Sequence, residues 1–406
     1  MGRLRQALLG AMLTLGSLAV AAAAQAQISD DMVKVGVLTD MSGLYADLSG
    51  PGSVEAARMA IEDVGGAIAG KKIEMISGDH QNKADLASSI ARQWFDTEKV
   101  DVIADVPNSA AALAVQEITR EKNKVALFSA PATSDLTGAR CAPTSFHWTF
   151  DTYALAHGTG TAIVKHGGDT WFFIVADYAF GQALARDTGD VVKANGGSVV
   201  GEVRHPIGTA DFSSYLLAAQ ASKAKIVGLA NAGGDVINTV KQAAEFGIVK
   251  GGQNLAGLLL FVSDVHSLGL ETAQGIQLTS SFYWDLNDDT RAWSKRFFER
   301  THRMPTMPQA GVYTSLMHYF RAVQATGTDD GLKVAAKMHE TPINDFMTKN
   351  GRVREDGRVV RDFYLFQVKQ PAESKYPWDY YQLISTIPAD QAIRPVAESQ
   401  CPLLHK

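Results

Sequence analysis

The stretch Val33–Asp63, VKVGVLTDMSGLYADLSGPGSVEAARMAIED, constrains the fold of this chain more than any other. It opens with VKVGVL, a short Val-rich apolar run with the pattern of a buried strand. A loop of small polar residues follows, with Ser42, Gly43, Ser49, Gly50, Pro51 and Gly52. Val54, Ala57, Met59, Ala60, Ile61 and Val64 then mark a helix, with Ser53 placed to cap its start. A strand, a Gly-rich turn and a helix N-terminus form the usual place for an open α/β sheet to hold a ligand. The loop reads MSGxxxxxSGPG, neither GxGxxG nor GxxxxGK[ST], which disfavours a nucleotide phosphate as that ligand.

The unit recurs along the chain. KKIEMISGD, VDVIADV and KVALFSA are short apolar runs, and Asn82–Glu98 and Ser109–Lys122 are helical patterns between them. Strand, helix and strand joined by short loops require a parallel sheet covered on both faces. GGAIAGKK, Gly65–Lys72, is one residue short of a Walker A loop. Lys72 stands where Ser or Thr must reach Mg²⁺, so Gly65 and Gly66 read as a helix exit. APTSFHWTFD, Ala142–Asp151, breaks the alternation, and a second βα series begins at Tyr153. Its strands are TWFFIVAD, SVVGEVRH, KIVGLAN and LAGLLLF. Thr290–Thr301, Gly311–Ala325 and Lys333–His339 read as late helices, and FYLFQVK as a late strand. The fold class expected is α/β, with two doubly wound Rossmann-like lobes in tandem.

A chain of 406 residues is long enough for two such domains, and 46% apolar with 20% charged residues is a globular composition. Arg3 and Arg5 precede an uncharged run, Leu8–Ala24, and Ala24-Gln25-Ala26 supplies small cleavage residues. Residues 1–26 therefore read as a secretory signal peptide, which places the mature protein in the periplasm. A retained anchor is the alternative, although 17 residues is near the lower limit for a membrane span. Cleavage removes two Arg and no acid, taking the formal charge from −5 to −7. An acidic chain without a Lys/Arg run argues against nucleic acid and against an anionic membrane surface. In an oxidising compartment Cys141 and Cys401 form a disulfide tying the tail to the first half, or remain two small apolar residues.

No G-x-S-x-G elbow, H-E-x-x-H, C-x-x-C or EF-hand loop is present. His147, His157 and His166 lie ten and nine residues apart, not the three, four or seven that share a metal on a helix. The expectation is a protein that is not an enzyme and needs no cofactor. Two loops carry chemistry instead. DVPNSAA, Asp105–Ala111, sets Asn108 and Ser109 before a helix, and FSAPATSDLTG, Phe128–Gly138, offers Ser129, Thr133 and Ser134. Hydroxyls and N–H groups at such helix starts suit a carboxylate, or serve simply as helix caps.

In the order of these loops the chain resembles the periplasmic leucine/isoleucine/valine-binding proteins, the ligand-binding subunits of ABC importers. The resemblance adds FHWTFDTYALA as a first crossing between lobes and VADYAFGQA as a strand end with an aromatic ligand wall. It implies a type I periplasmic binding protein with a three-strand hinge. The crossings fall near Trp148–Asp151, Ser281–Asp285 and Arg352–Arg361. Lobe I is then 27–150 plus 285–356, and lobe II is 151–284 plus 357–406 with the tail. It implies carboxylate contacts from Asn108, Ser109, Ala130 and Thr133 and second-lobe contacts from Phe180 and Asn231. Tyr45 and Tyr153 are candidates near the cleft.

One departure bears on the ligand. The leucine-type proteins pair the ligand's ammonium with a Glu in the second lobe, and Leu259 falls where that Glu would be. Either Asp177 or Asp264 substitutes, or the ligand lacks the ammonium. Aromatic residues gather near the expected cleft, Tyr153, Tyr178, Phe180, Phe282, Tyr283 and Trp284, some of them ordinary core. The balance favours a flat or apolar carboxylate such as an aromatic acid. An amino acid, or a sensor feeding its signal to a receptor, are the alternatives. The partners implied are a small-molecule carboxylate or amino acid and the permease subunits of an ABC transporter, with the protein itself monomeric.

Overall fold

The computed structural model describes residues 27–405; the expected signal peptide lies outside the described residues. The first sheet contains β1 (Met32–Thr39), β2 (Ala67–Ile68), β3 (Lys71–Asp79), β4 (Val102–Asp105), β5 (Val125–Phe128) and β6 (Ser145–His147), in the order β2–β3–β1–β4–β5–β6. All neighbours are parallel except β2, which pairs antiparallel with β3. GGAIAGKK is thus the helix exit and a hairpin, with Gly65, Gly66 and Gly70 all at positive φ, and not a phosphate loop. β1 is the central strand: Val35 pairs with Met75 on one side and Val102 on the other. Its Val and Leu side chains are fully buried between helices on both faces, which is why the run is continuously apolar. Gly36 interrupts it because Trp94 lies flat on the strand there; a Cβ would come within 2.5 Å of the indole.

The second sheet is fully parallel: β7 (Thr170–Ala176), β8 (Ser198–His205), β9 (Ile226–Ala230) and β10 (Asn254–Gly257), in the order β10–β9–β7–β8. The chain then adds β11 (Gln277–Ser280), a short antiparallel pair β12 (Arg352–Val353) and β13 (Val359–Val360), and finally β14 (Phe363–Val368) and β15 (Tyr381–Ile387). β11, β14 and β15 form an antiparallel sheet. β15 is absent from the strands expected from the sequence, because its exposed, uncharged residues show no alternation.

Helices Asp288–Thr301 and Met307–Thr326 return to the first lobe and pack against the helix Gly50–Asp63. Arg296 holds Asp63 through both guanidinium nitrogens (2.7 and 3.0 Å), and Tyr313 donates to the same carboxylate at 2.6 Å. Thr306 Oγ1 donates to Leu48 O at 2.6 Å. Between the segments Trp148–Asp151 and Arg352–Arg361, Arg358 is fully buried and its Nε lies 2.7 Å from Asp151. A bridge between His147 and Arg358 sets the β12–β13 hairpin beside β6.

The C-terminal tail lies across both lobes. Cys141 and Cys401 are disulfide-bonded, with Cα atoms 5.7 Å apart. The Arg394 guanidinium sits 4.5 Å over the Tyr153 ring, and its carbonyl accepts from Arg354 Nη1 at 2.6 Å. Beneath the tail, Asp187 of the helix Ala179–Ala194 accepts from Ser134 Oγ (2.8 Å) and Thr152 Oγ1 (2.6 Å). Among the described residues no helix is long and apolar enough to cross a membrane.

Candidate functional site

The site begins with the loop after β1. The Asp40 carboxylate accepts the N–H groups of Gly43 and Tyr45, each at 2.8 Å, and Nδ2 of Asn82 at 2.5 Å. Those bonds close the loop on itself and aim the Tyr45 ring at the second lobe.

The loop after β4 is strained. Asp105 has φ +83 and Val106 φ +56, although Val106 is β-branched and precedes Pro107. A left-handed backbone at such residues costs about 1–3 kcal/mol and persists only where the surroundings impose it. Here Asp105 accepts from Thr39 Oγ1 (2.8 Å) and Ser49 Oγ (3.2 Å), and Val106 N–H donates to Leu38 O (2.9 Å). Burial pushes the Asp105 carboxyl up to about 6, against the hydroxyl donors that favour its charge. The helix Ser109–Glu121 follows at once, with Asn108 Oδ1 accepting from Ala110 and Ala111 (3.0 and 3.1 Å). Ser109 Oγ accepts the N–H groups of Ala132 and Thr133, both at 3.2 Å, and so ties the β4 loop to the β5 loop. Its own O–H remains a donor at the cavity it lines.

That cavity lies between the C-terminal ends of the two parallel sheets, where open α/β sheets bind ligands, and its space for a water-sized sphere is only about 10 Å³. Tyr45, Leu48, Pro107, Ser109, Ala130 and Ala132 form the first-lobe wall, and Tyr178, Phe180, Ala232, Leu259 and Phe261 the second. The Tyr45 and Tyr178 hydroxyls meet across it at 2.5 Å. Burial raises the pKa of both phenols well above the ordinary value, so both stay protonated. Among the described residues no carboxylate, ammonium, guanidinium or imidazole lines the cavity. A larger open groove, lined by His166, Lys225, Asn254 and Gln277, lies at the opposite strand ends of the second sheet.

Tyr45, Ser109, Ala130, Phe180 and Leu259 therefore come together in one cavity. The other residues singled out from the sequence do not. Asn108 is spent on capping its helix. Thr133 gives its N–H to Ser109, and its Oγ1 accepts from Asp135 N–H at 3.4 Å. Asn231 is buried behind Ala232, its Nδ2 turned to Thr239 (3.0 Å) and His205 (3.2 Å). Tyr153 lies under the tail, bonded to Glu398 at 3.3 Å. Asp177 is exposed, 3.6 Å from Arg204 and accepting from Gln182 at 3.1 Å. Asp264 is buried, but its carboxylate caps its own helix by accepting from Phe261 N–H at 2.9 Å, and burial pushes it up to about 7. Neither acid stands where an ammonium in the cavity would need one.

Of the aromatic set, Tyr178 and Phe180 are walls of the cavity. Phe282 packs on Trp293 and Phe346, while Tyr283 and Trp284 both donate to Trp378 O. The wall residues that sequence reasoning passed over divide in two. Pro107, Ala132 and Ala232 adjoin named residues in the same loops, a signal that was available. Leu48 and Phe261 are ordinary apolar residues that only the tertiary fold brings in. Among the described residues no group of three or more His, Cys, Asp or Glu side chains is gathered for a metal.

Comparison with known proteins agrees with this architecture. A profile of the periplasmic binding protein family matches residues 32–375. A periplasmic binding protein from Burkholderia mallei is 52% identical over 92% of this chain and 99% of its own, with a TM-score of 0.90. A branched-chain amino acid ABC transporter periplasmic ligand-binding protein from Burkholderia xenovorans LB400 is 41% identical over 92% of this chain and 100% of its own, with a TM-score of 0.82. An ABC transporter solute-binding protein from R. palustris, solved in complex with benzoate, is 21% identical over 88% of this chain and 97% of its own (TM-score 0.79) and shares the fold. With two doubly wound lobes, a cavity between their strand ends and a family match over most of its length, the chain belongs to the periplasmic binding proteins and has their type I fold.

Proposed function

We propose that this protein is the periplasmic solute-binding subunit of an ABC importer and that its solute is a small apolar or aromatic carboxylate. The observation that carries the ligand class is the second-lobe wall, where Leu259 stands among Tyr178, Phe180, Ala232 and Phe261 with no acid. An amino acid would bury its ammonium there without a counter-charge, at a cost of several kcal/mol. A carboxylate instead meets the O–H of Ser109, and the apolar part of the ligand lies against Phe180, Leu259 and Phe261 as the lobes close.

The mechanism is lobe closure. The ligand docks on the first lobe, residues 27–150 plus 285–356, and the second lobe, 151–284 plus 357–406, closes over it. The ligand shifts this equilibrium only by binding the closed form better than the open one. The closed surface is then read by the permease. In this reading the protein acts as a monomer, is exported by residues 1–26, and performs no covalent step.

A thermal-shift screen of the chain from Gln27 onward, refolded to strip carried ligand, tests the ligand class. Benzoate, cinnamate and keto-acid analogues are set against leucine and valine. Aromatic acids are expected to raise Tm by several degrees at about 100-fold above Kd. Stabilisation by leucine or valine alone overturns the aromatic reading.

A further inference from the structure

Tyr45 and Tyr178 are 133 residues apart, one on each lobe, and their hydroxyls share one hydrogen bond. Neither hydroxyl has another partner among the described residues. Each ring is held by its own lobe. Tyr45 is fixed by Asp40 through the loop bonds described above. Tyr178 N–H donates to Ala176 O at 2.8 Å, and Tyr178 caps the helix Ala179–Ala194 with its ring 5.9 Å from that of Phe180. The contact therefore exists only while the lobes are closed.

The neighbouring backbone closes in the same place. Gly234 N–H donates to Leu44 O at 3.3 Å across the lobes. Gly233 has φ +59, and a Cβ on it would come within 2.5 Å of Leu44 O and 3.0 Å of the Tyr45 ring. Residues 44–45 thus meet the second lobe through main chain and side chain together.

We propose that Tyr45 and Tyr178 are an interlobe latch, a positioning pair that favours the closed state itself and not any particular ligand. The closed lobes gain this bond whatever lies in the cavity. Removing either hydroxyl then lowers the affinity for every ligand by one common factor, about three- to ten-fold for one net hydrogen bond. The order of preference among ligands does not change. The latch rests on the lobe-closure reading but not on the ligand class.

The test compares Tyr45→Phe, Tyr178→Phe and the double variant in the chain from Gln27 onward, with folding checked by circular dichroism and Tm. Small-angle scattering of the ligand-free proteins is expected to give a larger radius of gyration for each single variant. The double variant should be no more open than the singles, since all three lack the same bond. Titration calorimetry with benzoate and cinnamate is expected to show equal fold losses for the two. An unchanged radius in both single variants overturns the latch. So does a loss that differs by more than about three-fold between the two acids, since the phenols are then reading the ligand. If neither acid binds at all, the ligand class fails while the scattering still decides the latch.

Discussion

The two walls of the cavity are made of different things. The first-lobe wall is a frame of loops fixed from behind: Asp40 closes the loop to Tyr45, Asp105 and Val106 hold a strained turn, and Ser109 ties two loops with one oxygen. The second-lobe wall is rings and aliphatic groups at strand ends, with its polar residues, Asn231 and Asp264, turned inward to serve their own lobe. A frame rigid before the ligand arrives suits directional hydrogen bonds, which lose strength quickly with misalignment. An apolar wall needs only contact area, so it can be carried on the part that moves. The lobe that grips and the lobe that covers are therefore distinguishable by chemistry alone.

The largest expected effect breaks that division. Leu259→Glu places a carboxylate in the apolar wall, against the ligand's own charge. It should lower affinity for benzoate by at least about 100-fold, read by titration calorimetry. Gain of leucine binding in that variant would show that this one position sets the ligand class. Ser109→Ala attacks the other wall. It removes the hydroxyl donor and leaves the Ala132 and Thr133 N–H groups without their acceptor. A hydrogen bond to a charged group contributes about 1.5–3 kcal/mol, so a loss of roughly ten- to a hundred-fold is expected in the same titration.

The smallest effect appears in stability. The Asp264 carboxyl, raised to about 7 in the folded protein, titrates near 4 when unfolded. The folded state thus holds the proton more tightly, so this group's contribution is greatest below about pH 4, falls as pH rises towards 7 and is constant above. Asp264→Asn, which mimics the protonated form, should raise Tm by a few degrees at pH 8 and leave it unchanged near pH 4. A rise at both pH values would mean that the carboxylate is not penalised by burial.

Much of the fold was legible because its signals are local. Each Val-rich run followed by a helical period specifies a βα unit, and the break at Ala142–Asp151 marks the end of the first sheet. The loops carrying Ser109 and Ala130 were legible for the same reason, since they sit at strand ends. What escaped depends on direction. Asn108 and Ser109 are adjacent and chemically alike as donors, yet the helix geometry turns one to its own N–H groups and the other to the cavity. Asp177 lies one residue before Tyr178 but points to solvent, because the chain alternates faces as it leaves β7. Nothing in the local sequence of Leu48 or Phe261 marks them apart from core.

The bond between Cys141 and Cys401 spans 260 positions of sequence. The covalent ring it closes encloses the whole second parallel sheet and the late helices, while β1–β5 lie outside it on the N-terminal arm. Synthesis delivers Cys401 after β15, so the ring is sealed only after all the described strands of both lobes have emerged. A single proteolytic cut anywhere between the two cysteines then opens the ring without releasing a fragment, and the nicked protein comes apart only on reduction.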